Sequence, residues 1–357
     1  MDIQGSEENL SITLSRRQAV AGIGSLGLTT IILPNDARAD LKAMEAAARK
    51  EGSLTWYTAQ IDAEKAERLG RAFTEAYPGV KVSTIRTTGQ VAYQRLLLDI
   101  KNSTPQCDVF STTDISHMPA LKERKQITNY TPESAAGLMP AFKELSDPGF
   151  SYVTNASRYF ILYNTDKVKP QDAPRKWTDL LDPKWKGRVS TGHPAFSGCT
   201  GVWALSLKKV YGWEFFEKLA KNNPRIGRSA IDPVTLMSAG ESLLGPASAN
   251  TAYPAVEKGN PLAVVHPEDG LVLCVTPSAI PANAPHPNAA RLFMEFMLGD
   301  TYSRMLAMDG TEPIRVGVQP KAGVPLLTTQ KVIPLTVDEI RKGVPEVIEQ
   351  WRDTFGS

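Results

Sequence analysis

The sequence predicts an α/β protein of two lobes, each a mostly parallel sheet flanked by helices, with two hinge strands between them. Three observations predict it. Strand-like and helical periodicities alternate over residues 53–110, the pattern of a parallel sheet with right-handed crossovers. A second α/β region lies between residues 187 and 265. The two longest strand-like runs, residues 152–164 and 270–280, bracket that second region and read as the crossings between lobes.

The elements follow in order. An Ala-rich amphipathic helix over 41–49 stops at Glu51-Gly52, and a short buried strand follows at 53–57. Asp62 is positioned to cap a helix whose apolar face is Ala66, Leu69, Phe73 and Ala76. Its neighbours Glu64, Lys65, Glu67 and Arg68 read as the wet face. Pro78-Gly79 ends that helix, and residues 80–85 alternate as a strand. Tyr93, Leu96, Leu97 and Ile100 keep helical spacing, and 107–110 is a third strand. Beyond the first crossing come a strand near 187–190, a helix opening at Ser197, a helix over 213–219 and a strand at 262–265. An apolar helix at 289–297 and a tail helix at 337–355 complete the chain.

The chain has 357 residues, enough for about two domains. Forty basic against 38 acidic residues give a net charge of +2, which leaves no basic footprint for nucleic acid or an anionic membrane. Hydrophobic residues at 42% and charged residues at 22% suit a protein that buries a core. Cys107, Cys199 and Cys274 are too few for a disulfide scaffold and too widely spaced for a cysteine zinc site. Their odd number leaves at least one thiol free. His117, His193, His266 and His286 form no closely spaced pair, and no metal site is expected.

Residues 1–39 read as an export signal. Ser15-Arg16-Arg17 precedes an apolar run over 19–33 that contains Gly22, Gly24 and Gly27, and Ala37-Arg38-Ala39 fits a small-x-small cleavage site. Paired arginines before a weakly apolar core mark the twin-arginine type, with cleavage near Ala39. As a membrane span the run is short of the roughly 20 residues needed.

Ligands of open parallel sheets bind beyond the carboxyl ends of strands, at helix N-termini. Three places qualify: Thr58 and Gln60 after the first strand, Ser111, Thr112 and Thr113 after the third, and His193 to Gly201 in the second region. In the last, Ser197 supplies an N-cap hydroxyl, and the N–H groups of Gly198, Cys199 and Thr200 face the side where the helix dipole favours an anion. Asn250 and Tyr253, before a proline in an expected interlobe loop, are further candidates. Arg158, on the first crossing, is ranked above Arg86 as a cation for the cleft. Catalytic motifs are missing: GxSxG, HExxH, GxxxxGK[ST] and GxGxxG do not occur. Cys199 near His193 reads as a small packing residue before it reads as a nucleophile. His117, His266 and His286 read as structural or solvated.

Residues 174–187, Pro-Arg-Lys-Trp-Thr-Asp-Leu-Leu-Asp-Pro-Lys-Trp-Lys-Gly, resemble a family pattern P-x-x-W-x-D-L-x-D-P-x-W-K-G preceded by Tyr163-Asn164. Residues 196–201 resemble that family's anion turn, and 284–296 its late helix entry. The chain is thus similar to the family-1 extracellular solute-binding proteins of ABC importers, in the branch of ferric-ion, phosphonate and sugar-phosphate binders. The resemblance covers nearly all of 41–315. It implies the periplasmic-binding-protein type II fold, no catalysis and no cofactor. The expected division places 40–150 with 270–308 in one lobe, and 151–269 with 309–357 in the other. The implied protein is a periplasmic monomer that delivers a small anionic organic solute to an inner-membrane permease. Ferric binders carry a histidine, a carboxylate and a tyrosine pair where this chain has Ile61, Thr113 and Thr251-Ala252, leaving Tyr253 as a lone phenol. Ferric capture is therefore the alternative reading, and an exported enzyme using Cys199 or a cleft carboxylate is the alternative from another class.

Overall fold

A computed structural model describes residues 35–59 and 61–356. The arginine pair and apolar run of the expected export signal, and the candidate Gln60, lie outside the described residues.

The first region runs α1 (Asn35–Glu51), β1 (Ser53–Thr58), α2 (Ala63–Ala76), β2 (Lys81–Arg86), α3 (Gly89–Lys101) and β3 (Val109–Ser111). β1 sits between β2 and β3, parallel to both. The Asp62 carboxylate caps α2 by accepting from the Lys65 N–H at 2.9 Å. At the other end Gly79, at φ +100°, takes a backbone conformation that a side chain resists, and turns the chain into β2. α4 (His117–Glu123) and α5 (Pro140–Glu144) lead to β4 (Tyr152–Asn164), which is buried along its whole length.

The second region holds β5 (Ser190–Thr191), α6 (Gly198–Tyr211), α7 (Glu214–Lys221), β6 (Arg225–Ile226), α8 (Asp232–Ser238), β7 (Leu244–Ser248), α9 (Ala249–Glu257) and β8 (Leu262–Val265). The return crossing is β9 (Leu271–Ala279), followed by α10 (Pro287–Met297), α11 (Asp300–Met308), β10 (Val332–Ile333) and α12 (Val337–Phe355).

The crossings do more than connect. They are strands of one eight-stranded sheet with the main order β2-β1-β3-β9-β4-β7, where β10 pairs with β9 and β8 with β4. A sheet in two separate halves was expected; parallel pairing among the strands joins β1 to β2 and β3, β9 to β10, and β5 to β6 in a separate two-stranded sheet. β4 runs antiparallel to β9 along its first half, to β8 along its second, and to β7 on the other side. The reason is geometric: two crossings in opposite chain directions that lie side by side can only pair antiparallel.

Edge-to-face aromatics fill both ends of the molecule. Phe73 meets Phe293 at 5.0 Å beneath β1, where α1 lies on α10. Trp203 meets Phe216 at 5.5 Å, with Trp351 of α12 completing that cluster. Each such pair contributes about 0.5–1.5 kcal/mol beyond area burial. These cores hold the strand ends and the start of α6 in place.

Candidate functional site

A small cavity of about 50 Å³ lies where the carboxyl ends of β1 and β2 and the loop after β3 face the start of α6. That is room for roughly three or four waters. One wall carries Ala59, Arg86, Gly89 and Thr113, and the other Tyr159, Ser197, Cys199, Ser229, Ser248 and Asn250.

Ser197 is the N-cap of α6, its hydroxyl oxygen accepting from the Thr200 N–H at 3.3 Å. Thr200 is thereby committed to the cap. The helix start presents the N–H groups of Gly198 and Cys199, which have no acceptor four residues back. Tyr159, only 2% exposed, lines the same wall. Burial pushes its phenol up to about 12, against the opposing pull of the Thr200 and Ser197 side chains. It therefore stays protonated near neutral pH, and its oxygen completes no hydrogen bond of good geometry. From the opposite wall comes Arg86, whose Nε donates to the Ile61 carbonyl at 3.0 Å. Burial lowers the Arg86 pKa while Asp62 and Asp232 raise it, and guanidinium remains charged regardless. Among the described residues no carboxylate forms an ion pair with it. The nearest carboxylate of the cavity, Asp62, is already occupied by the α2 cap and by Lys65 at 3.4 Å.

The expected site is thus partly assembled. Thr113, Ser197, Cys199 and Asn250 line the cavity, with Gly198 at the seam beside it. Others point elsewhere. Thr58 is fully buried outside the cavity, and Thr112 is turned to the His117 Nδ1 at 2.9 Å. Ser111 accepts from the Trp56 indole at 2.8 Å and meets the Ser278 hydroxyl at 2.5 Å. His193 stacks edge-on between Phe196 and Trp351 and accepts the Ala195 N–H at 3.0 Å. Thr200 is 1% exposed behind the cap.

Arg158 is not in the cleft. It is fully buried and ion-paired with Glu312 at 2.6 Å. Adjacent strand residues point to opposite faces, so Tyr159 takes the cleft and Arg158 the interior behind it. Asn250 and Tyr253 belong to helix α9, not to a loop, and Tyr253 packs against Phe160 with its hydroxyl 3.4 Å from the His266 ring. Cys199 is no thiol: it forms a disulfide with Cys274 of β9, which leaves Cys107 as the free, buried cysteine. Without a thiolate the nucleophile reading fails. Lys65, expected on a wet face, is 7% exposed and reaches the Asn250 carbonyl.

Sequence reasoning missed Tyr159, Ser229 and Ser248, and ranked Arg86 second. Strand parity at Arg158-Tyr159 was the available signal. Nothing local marks Ser229 or Ser248. Ile61, Thr113 and Thr251, where the ferric pattern has its ligands, do line the cavity. None offers the hard anionic oxygen that ferric iron requires. Among the described residues no group of three or more His, Cys, Asp and Glu side chains gathers.

The fold and cleft define a two-lobed α/β protein with a donor-lined cavity between its walls, to which the first crossing strand contributes Tyr159. The chain belongs to the bacterial extracellular solute-binding protein family, whose pattern matches residues 105–343. A provisionally named 2-aminoethylphosphonate-binding periplasmic protein of Salmonella typhimurium is 27% identical over 291 residues, 76% of this chain and 77% of that protein. The spermidine/putrescine-binding periplasmic protein of Escherichia coli is 23% identical over 247 residues, 66% of this chain and 67% of that protein. Among solved structures, the periplasmic binding protein AfuA from Actinobacillus pleuropneumoniae, with fructose-6-phosphate bound, superposes with a TM-score of 0.77. It is 21% identical, over 86% of this chain and 99% of that one.

Proposed function

We propose that this chain is the periplasmic binding component of an ABC importer for a small anionic organic solute: a phosphonate, phosphate ester or carboxylate. One observation carries the reading. Donors from both walls, the Arg86 guanidinium on one side and the Ser197, Tyr159 and helix N–H groups on the other, converge on one cavity. An anion between them bridges the walls, so binding favours the closed state over the open one. The closed form is then what the permease recognises, and no catalytic step is needed. Relatives that bind a phosphonate or a sugar phosphate share the phosphoryl group this cavity suits. Residues 1–39 address the chain to the periplasm in this reading, and the mature protein acts as a monomer. The lobes divide as 40–150 with 270–308, and 151–269 with 309–357.

A thermal-shift screen tests it, with 2-aminoethylphosphonate, sugar phosphates, carboxylates, polyamines and ferric citrate. A ligand at about a hundred times its Kd adds roughly 2.7 kcal/mol of stability. Stabilisation by phosphonates, phosphate esters or carboxylates supports the reading. Stabilisation by polyamines or iron alone overturns it.

A further inference from the structure

Helix α9 contains a proline one turn after Asn250. Pro254 has no N–H, so it cannot donate to the Asn250 carbonyl as the helical pattern requires. A carbonyl released inside a packed molecule needs another donor. The structure supplies one from α2: the Lys65 ammonium donates to the Asn250 oxygen. Lys65 is 7% exposed and stands 3.4 Å from Asp62 and 4.0 Å from Asp309. Its charge is thus balanced by carboxylates beside it while its proton reaches across to α9. Asn250 and Asp62 both line the cavity.

We infer that Lys65 is a latch between the walls of the cleft, holding Asn250 in its closed position by the carbonyl that Pro254 releases. The role is positional: Lys65 does not line the cavity. When the walls part, that carbonyl passes to water, while the ammonium keeps Asp62 of its own wall and leaves Asp309 with the other, so the bond counts only toward the closed state. Its importance to solute capture rests on the cleft being the solute site, whereas its effect on closure does not.

The test uses the mature protein with spin labels at two exposed positions, through Arg71→Cys on α2 and Glu217→Cys on α7. Interlabel distances are measured with and without 2-aminoethylphosphonate. Three further variants are compared: Lys65→Met, Lys65→Arg and Pro254→Ala. Loss of one hydrogen bond from a charged donor lowers the closed-to-open ratio roughly tenfold. Lys65→Met is expected to show that shift and Lys65→Arg to restore most of it. Pro254→Ala returns an N–H to the Asn250 carbonyl and so competes with the latch. It is expected to open the protein as Lys65→Met does, and adding Lys65→Met to it should change little more. Should Lys65→Met not fold, Pro254→Ala carries the measurement alone. Unchanged distances in the variants that fold, or a parent protein wholly open in both conditions, overturn the latch. Absence of any phosphonate response in the parent's melting temperature is a separate result, bearing on the solute.

Discussion

Gly198 of α6 lies directly against the main chain of Thr113: a Cβ placed on it falls 2.1 Å from the Thr113 carbonyl oxygen and 2.4 Å from the carbonyl carbon. The obstacle is backbone, so no side-chain rotation relieves it. Gly198→Ala is expected to hold the walls apart while leaving each intact. Affinity should fall by tenfold or more with little change in the ligand-free melting temperature, and solution scattering should show a larger particle with solute present. Unchanged affinity means the seam opens freely and closure does not depend on this glycine.

Ser197 serves as a cap and as a cavity wall at once. Its oxygen accepts from Thr200, which leaves its proton for a solute. Ser197→Ala should therefore cost about 1 kcal/mol of stability through the cap. It should also weaken binding roughly ten- to a hundredfold through the lost bond to a charged acceptor. Calorimetry with melting temperatures on the same protein separates the two effects. A stability loss with full affinity reduces Ser197 to a cap.

The two arginines should part company under mutation. Arg86→Gln removes the cavity's guanidinium and is expected to cut affinity roughly ten- to a hundredfold at nearly unchanged stability. Arg158→Met instead strands Glu312, 4% exposed, without its partner. Breaking a buried pair in this way costs about 3–5 kcal/mol of stability. If Arg158→Met proves the variant that spares stability and abolishes binding, the assignment of the two is reversed.

Stability should fall on mild acidification. His117 is stacked on Tyr93 at 3.9 Å, and burial lowers its pKa below 6.5 despite the opposing pull of Asp114. His266 is likewise lowered, by burial and then by Arg158. Below pH 6.5 the unfolded chain takes up protons that the folded chain refuses, which favours unfolding. Each such histidine contributes up to about 1.4 kcal/mol per pH unit across that window. Glu312 works in the opposite direction, since burial raises its pKa and folding then favours its proton. The clean measurement is thus the difference between parent and His117→Gln in urea titrations at pH 7 and pH 5. The variant should lose less stability on acidification. Equal losses would show that His117 takes up its proton in the fold.

Much of this was legible from the chain alone, for reasons the structure makes plain. The two crossings stood out as the longest strand-like runs in the chain, and Ser197 because caps are local chemistry. Arg158 and Lys65 were misplaced for the opposite reason. Their environments come from Glu312 and Asn250, far along the chain, and no local pattern reports a partner that distant. The disulfide was invisible on the same ground, its cysteines standing 75 positions apart in the sequence. Tyr159 needed only the correct strand parity beside Arg158.

The pairing of Phe110 in β3 with Ala279 in β9 has a consequence for biogenesis. The first sheet strands cannot find their neighbour until the chain has been synthesised through the second crossing. At about 5–20 residues per second, that delay is roughly ten seconds or more after β3 emerges. During it β3 offers an unpaired edge, and pairings so distant in sequence close slowly. Until β9 is made, that edge is open to pairing with other chains, and a fragment ending before residue 271 lacks the strand that would complete the sheet.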